Sequence, residues 1–147
     1  MINRTTLQAI EQVSRLTMAV ILLTAGTSKF FSAGGFKAYY SGLFQGDLRI
    51  QIPAPMIDGY LTVIPFIEVM LGACLLVARF KPVSIYAWYG FMLSLLVGHY
   101  ILQEWSSVNQ MLDYMFLGMI CHALPTGSPV SLLSDLKSAW SQTEKNE

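Results

Sequence analysis

Apolar residues in this chain come in four long blocks, from about Val13 to Phe31, Leu61 to Phe80, Val83 to Leu102 and Ser107 to Leu124. Each is close to the roughly 20 residues that a helix needs to cross the hydrocarbon core of a bilayer. Lipid offers no hydrogen bonds to a backbone, so a spanning segment must satisfy its own amides and carbonyls, which a helix does. A membrane barrel would show short alternating segments, and these blocks do not alternate. The expected fold is therefore all-α, an integral membrane four-helix bundle forming one membrane domain over residues 1–147. Composition agrees: 54% of residues are hydrophobic and 12% charged, against about 25% charged in soluble domains. That is too little charge to cover a water-facing surface.

The gaps between blocks carry helix-breaking residues. Ser32-Ala33-Gly34-Gly35 closes the first helix, Lys81-Pro82 divides the second from the third, and Pro125-Thr126-Gly127 stops the fourth. Pro65 falls in the opening turns of the expected second helix, where a missing backbone donor costs little. The first block resembles a signal peptide in having Arg4 ahead of it and Ala25-Gly26-Thr27 within it. Cleavage is not expected, because the apolar run continues through Lys29-Phe30-Phe31.

With four crossings, Arg4, Arg79, Lys81, Lys137 and Lys145 share one side, while Lys37, Arg49 and the helix-end Lys29 take the other. The positive-inside bias puts both termini in the cytoplasm and the protein in the inner membrane as a multi-pass chain. The long first connection, Ser32 to Tyr60, is then extracytoplasmic. Its Phe36–Phe44 stretch mixes aromatics with a lysine, as in a short helix lying in the interface, with an anchor or a lid as its role. Gln142 to Glu147 is a polar, disordered-type tail.

Several function classes are excluded at this level. Net charge is zero and no basic run is present, so nucleic acid is not an expected partner. Cys74 and Cys121 are separate and each sits in an apolar block, the usual setting of small buried side chains rather than a thiol relay. No Cys/His spacing suits a metal, and no glycine-rich loop follows a strand to cradle phosphate.

Six titratable residues fall inside the expected spans: Arg15, Lys29, Glu68, His99, Asp113 and His122. Charge at membrane depth is costly and calls for a partner or a purpose. Counting about 1.5 Å of rise per residue along alternating helix directions puts Lys29, Glu68, His99 and Asp113 together in the outer half. Arg15 and His122 fall together in the inner half. Arg15, Met18, Leu22, Gly26 and Lys29 share one face of the first helix, which should turn inward, and Gly26 and Gly72 would allow close helix approach. Three readings of the outer layer stay open. Its charges hold the bundle together, with Lys29 and His99 reaching the interface; they line a pocket for a small molecule; or they carry protons.

Ala25-Gly26-Thr27-Ser28-Lys29-Phe30-Phe31 and Ile64-Pro65-Phe66-Ile67-Glu68-Val69-Met70-Leu71-Gly72 resemble motifs of the DoxX-like membrane proteins, whose relatives include DoxD and MauE. The resemblance covers most of the chain and implies the four-helix plan. It marks Lys29 and Glu68 as family-matching positions with no fixed chemistry attached. What it implies of function is association with membrane redox systems: thiosulfate oxidation coupled to quinone for DoxD, and maturation of methylamine dehydrogenase for MauE. The chain has no cysteine pair for a thiol role of the MauE kind.

The leading expectation is an accessory or quinone-interacting subunit of a membrane redox system. Lys29, His99 and a protonated carboxyl would serve the quinone carbonyls beside Phe30, Phe66 and Tyr114. No covalently bound cofactor is expected, and His99 and His122 lie at opposite depths, which does not suit haem. Whether the chain catalyses anything stays open. The alternative is a scaffold packed beside other membrane subunits or a redox partner, with Met111, Met115 and Met119 on the contact or in the bundle core. A small transporter is a weaker reading, since no inverted repeat or broken helix pair is visible.

Overall fold

The computed structural model describes residues 3–32, 35–46, 48 and 50–127. The tail Gln142 to Glu147, Lys137, Lys145 and Arg49 lie outside them. Among the described residues the regular structure is helical throughout: α1 (Arg4–Phe31), α2 (Phe36–Phe44), α3 (Ala54–Leu76), a 3-10 turn (Ala78–Phe80), α4 (Lys81–Ile101) and α5 (Trp105–Ala123). The four long helices close a ring in which α1 packs on α3, α3 on α4, α4 on α5 and α5 back on α1. The short α2 lies against α3.

Two helix starts differ from the sequence expectation. The first helix begins at Arg4 rather than Val13, capped by Asn3, whose side chain accepts the Thr5 amide at 3.4 Å. Its opening turns are amphipathic rather than apolar, so a search for apolar blocks passes over them, yet Ala9, Glu11 and Gln12 are buried. The second long helix begins at Ala54 rather than Leu61, with Pro55 in its first turn. Pro65 is consequently inside α3 and not in its opening turns, and it removes one amide from the middle of the ladder.

The α4–α5 connection is set by its backbone. The Gln103 amide donates to the Tyr100 carbonyl at 3.1 Å and the Glu104 amide to the His99 carbonyl at 3.0 Å. This is the paired closure that usually takes glycine at the left-handed position. Here Gln103 occupies it with φ 59°. The tight turn sends α5 back along α4.

Large apolar side chains such as Val20, Phe66, Met70, Val83, Leu93 and Phe116 face outward, whereas Glu11, Gln12, Arg15, Glu68, Lys81 and Ser84 are buried. Water would favour the reverse; lipid favours this. Among the described residues α1, α3 and the segment Ala78–Ile101 are long and apolar enough to cross a membrane. The fourth expected span, α5, has the length of 19 residues but opens on Ser106, Ser107, Asn109, Gln110 and Asp113.

Close approach of α1 and α3 depends on two glycines. A Cβ at Gly26 would sit 2.8 Å from Val69 Cγ2 and 2.9 Å from Glu68 Cβ, and one at Gly72 would sit 2.9 Å from Leu23 Cγ and 3.1 Å from the Ala19 carbonyl. Gly42 in α2 has open space around it. Gly26→Val is therefore expected to destabilise the protein by about 1–3 kcal/mol, the usual cost of overpacking. It should appear as a lower thermal midpoint in detergent, with Gly42→Ala leaving the midpoint unchanged or slightly raised.

Candidate functional site

At the α2 end of the bundle, Lys29 in the last turn of α1 meets Glu68 of α3. Lys29 Nζ donates to both carboxylate oxygens, at 2.5 and 2.6 Å. The Glu68 side chain is 4% exposed and that of Lys29 17%, so the pair is largely out of solvent. Phe36 of α2 covers it, with Nζ 4.9 Å from the ring centroid. The Gly26 contact described above brings the two backbones near enough for the lysine to reach.

His99, in the last turn of α4, forms the facing polar group. Its Nδ1 lies 2.7 Å from Glu104 Oε2, held there by the left-handed turn at Gln103. The Tyr40 ring stands edge-on to the imidazole at 6.0 Å. Burial pushes the Tyr40 hydroxyl above its ordinary range, with the Glu104 carboxylate adding to the effect, so it stays protonated at neutral pH.

Between these groups is a cavity of about 230 Å³ lined by Lys29, Glu68, His99, Phe36, Tyr40, Phe44, Tyr60 and Tyr114, with Leu22, Leu61, Ile64, Met92 and Met111 among the aliphatic walls. Phe36, Tyr40 and Phe44 recur every fourth residue, so one face of α2 supplies them all. Tyr60 is fixed by donating to Ser94 Oγ at 3.0 Å. An apolar chamber with a few converging polar groups is the usual form of a small-molecule site.

Of the four residues expected in one layer, Lys29, Glu68 and His99 line this cavity. Asp113 does not; it is exposed on the outward side of α5. Phe30 and Phe66 meet edge-to-face at 5.1 Å but are about half exposed on the outside of the bundle, so they are not cavity walls. Among the three methionines, Met111 is buried, Met115 partly buried and Met119 exposed.

A second polar cluster fills the opposite end. Glu11 is fully buried and accepts from Arg15 Nε at 3.0 Å, the Gly127 amide at 2.6 Å and the Cys121 thiol at 3.6 Å, with Lys81 Nζ at 3.5 Å. Arg15 also donates to the Leu75 carbonyl at 2.6 Å and Lys81 to that of Leu124 at 2.7 Å. A Cβ at Gly127 would collide with the Gln8 carbonyl, so glycine is needed where the chain crosses α1. This cluster ties α1, the end of α3, the start of α4 and the residues after α5 together. Arg15 is not paired with His122 as expected; His122 is exposed beside Tyr86 and Tyr89. Among the described residues no three His, Cys, Asp or Glu side chains converge closely enough to hold a metal ion.

Residues 7–111, more than half of the chain, match the family described as methylamine utilisation protein MauE. The chain belongs to the MauE family. No curated protein and no solved structure gave a match. MauE is a membrane protein family related to the DoxX type, and the segment matched takes in the Lys29–Glu68 pair, His99, Glu104, Glu11, Arg15 and Lys81. Asp113, Cys121 and His122 lie beyond it.

Sequence reasoning missed Glu11, Lys81 and Glu104 in this MauE-family chain. Glu11 precedes Arg15 by four residues, a spacing that places the two on one helix face, and the signal becomes visible once the helix is extended upstream. Lys81, beside Pro82 in a gap between apolar blocks, reads in sequence as a loop charge. Replacing Glu11 by Ala would leave Arg15 and Lys81 buried without their anion, at an expected cost of about 3–5 kcal/mol. Lys37 and Asp58, paired at 2.6 Å but both exposed, provide the contrast: Lys37→Ala should cost no more than about 1 kcal/mol. Thermal midpoints of the two variants in one detergent give the comparison.

Proposed function

We propose that this MauE-family protein is an accessory component of a membrane redox system, of the methylamine-utilisation kind or similar. Its cavity between Lys29–Glu68 and His99–Glu104 would take the ring of a quinone-type molecule. The observation that carries the reading is the convergence of Lys29, Glu68 and His99, from three helices, on one largely apolar chamber under α2.

The chemistry suits such a ring. A volume of about 230 Å³ is below the roughly 300–1,000 Å³ of sites for whole drug-sized molecules, so it fits a single substituted ring better than a larger ligand. Lys29 offers a donor at one end. At the other, His99 Nδ1 is engaged with Glu104, which leaves Nε2 for a ligand. That nitrogen accepts from a quinol hydroxyl when the imidazole is neutral and donates to a quinone carbonyl when it is protonated. Tyr40, Phe44 and Tyr114 supply flat apolar walls.

In this reading the four long helices all cross the inner membrane, α2 lies in the outer interface, and the N-terminal end is cytoplasmic. Arg4 and Arg79 then satisfy the positive-inside bias, and the cavity sits in the outer half of the bundle. The scaffold reading is compatible with an accessory role but gives no reason for a chamber with polar groups at both ends.

The test is binding of a decyl-substituted benzoquinone to the purified protein in lipid nanodiscs, followed by intrinsic fluorescence. His99→Ala should weaken binding about ten-fold, equivalent to about 1.4 kcal/mol, and Glu68→Gln at least as much. His99→Ala also removes the partner of Glu104, so His99→Gln, measured beside it, separates loss of the ring nitrogen from loss of that contact, and thermal midpoints of both His99 variants report the fold. Unaltered affinity in His99→Ala and Glu68→Gln would rule the quinone reading out.

A further inference from the structure

α5 has a polar stripe on the wrong side for a helix that only packs within its own bundle. Ser106, Asn109 and Asp113 are all exposed and follow one another at helical spacing, and the same face continues through exposed Phe116 and Ile120. Other charged residues of the long helices behave differently: Glu11, Arg15, Lys29, Glu68 and Lys81 point inward and are paired, and Asp58, exposed near the start of α3, is paired with Lys37. Among the described residues Asp113 makes no ion pair or side-chain hydrogen bond.

On the reading above, in which α5 crosses the membrane with the other three long helices, Asp113 is also deep. α5 packs lengthwise on α4 and α1, both of spanning length, and its 19 residues reach about 28 Å, near the thickness of the hydrocarbon core. Trp105, edge-to-face with Tyr100 at 5.5 Å, marks the interfacial end. Asp113, eight residues further on, lies about 12 Å beneath it. A carboxylate there, facing lipid, is costly and calls for a partner.

We propose that the outward face of α5, centred on Asp113, docks a transmembrane helix of another membrane protein that carries a lysine or arginine at the same depth. Charge complementarity selects this occupant. A symmetric second copy would set Asp113 against Asp113, and lipid chains offer the carboxylate nothing. Ser106 and Asn109 add hydrogen-bonding groups on the side nearer the interface, and Phe116 and Ile120 give apolar packing on the other. The docking face is independent of what the cavity binds.

A photoreactive amino acid placed at Asn109 or Phe116 of the full chain, in its native membrane, tests it, with Met70 on α3 as a lipid-facing control. Mass spectrometry of the adducts should identify an apolar segment of a different protein containing a lysine or arginine. Asp113→Leu should lower the adduct yield at least five-fold, Asp113→Glu should preserve it, and Asp113→Lys should recover it when the partner's basic residue is changed to Asp. Since Asp113 is exposed, the thermal midpoint of each variant should stay within a few degrees of the parent, which separates loss of docking from loss of fold. Adducts with lipid alone, with a second copy, with residues 128–147 of the same chain or with a segment lacking a basic residue would overturn the proposal. So would a yield unchanged by Asp113→Leu.

Discussion

Lys29 and Glu68 come from helices distant in sequence and meet inside an apolar bundle, where either charge alone would be strongly destabilising. Their contact requires α1 and α3 to lie close, which Gly26 and Gly72 permit, and it needs cover from solvent, which Phe36 of α2 provides. Once the pair is formed, the walls above it follow. α2 is held over α3, its Phe36, Tyr40 and Phe44 face is turned to the chamber, and His99 stands at the far side. The α1–α3 contact at this end and the candidate site thus share one interaction.

The polar cluster at the other end does different work. Glu11, Arg15 and Lys81 leave little polar capacity unused, since backbone carbonyls of Leu75 and Leu124 and the Gly127 amide complete their shells. It resembles a clamp holding the ends of four elements, while the α2 end keeps a space. Two groups of buried charge in one small bundle therefore divide between fastening and, on the quinone reading, ligand binding.

Much of this was legible in the chain itself. Apolar blocks gave the helices, and counting depth along alternating directions brought Lys29, Glu68 and His99 together, because rise per residue is a property of the backbone alone. Rotation about the helix axis is not fixed by depth, and this is where the expectation for Asp113 failed: it has the right level and the opposite face. The early starts of α1 and α3 were hidden because amphipathic and proline-containing turns interrupt apolar runs without ending helices. Glu104 could not be assigned to His99 from spacing, since their contact depends on Gln103 adopting a left-handed conformation that its residue type does not announce.

Structure determination of the protein in nanodiscs with a short-chain quinone present decides what the chamber holds. Ring density is expected between Lys29–Glu68 and His99, under Tyr40 and Phe44, with one ring oxygen in hydrogen-bond reach of each polar group. A chamber filled by lipid tails or collapsed side chains, with the quinone elsewhere, would contradict the quinone reading.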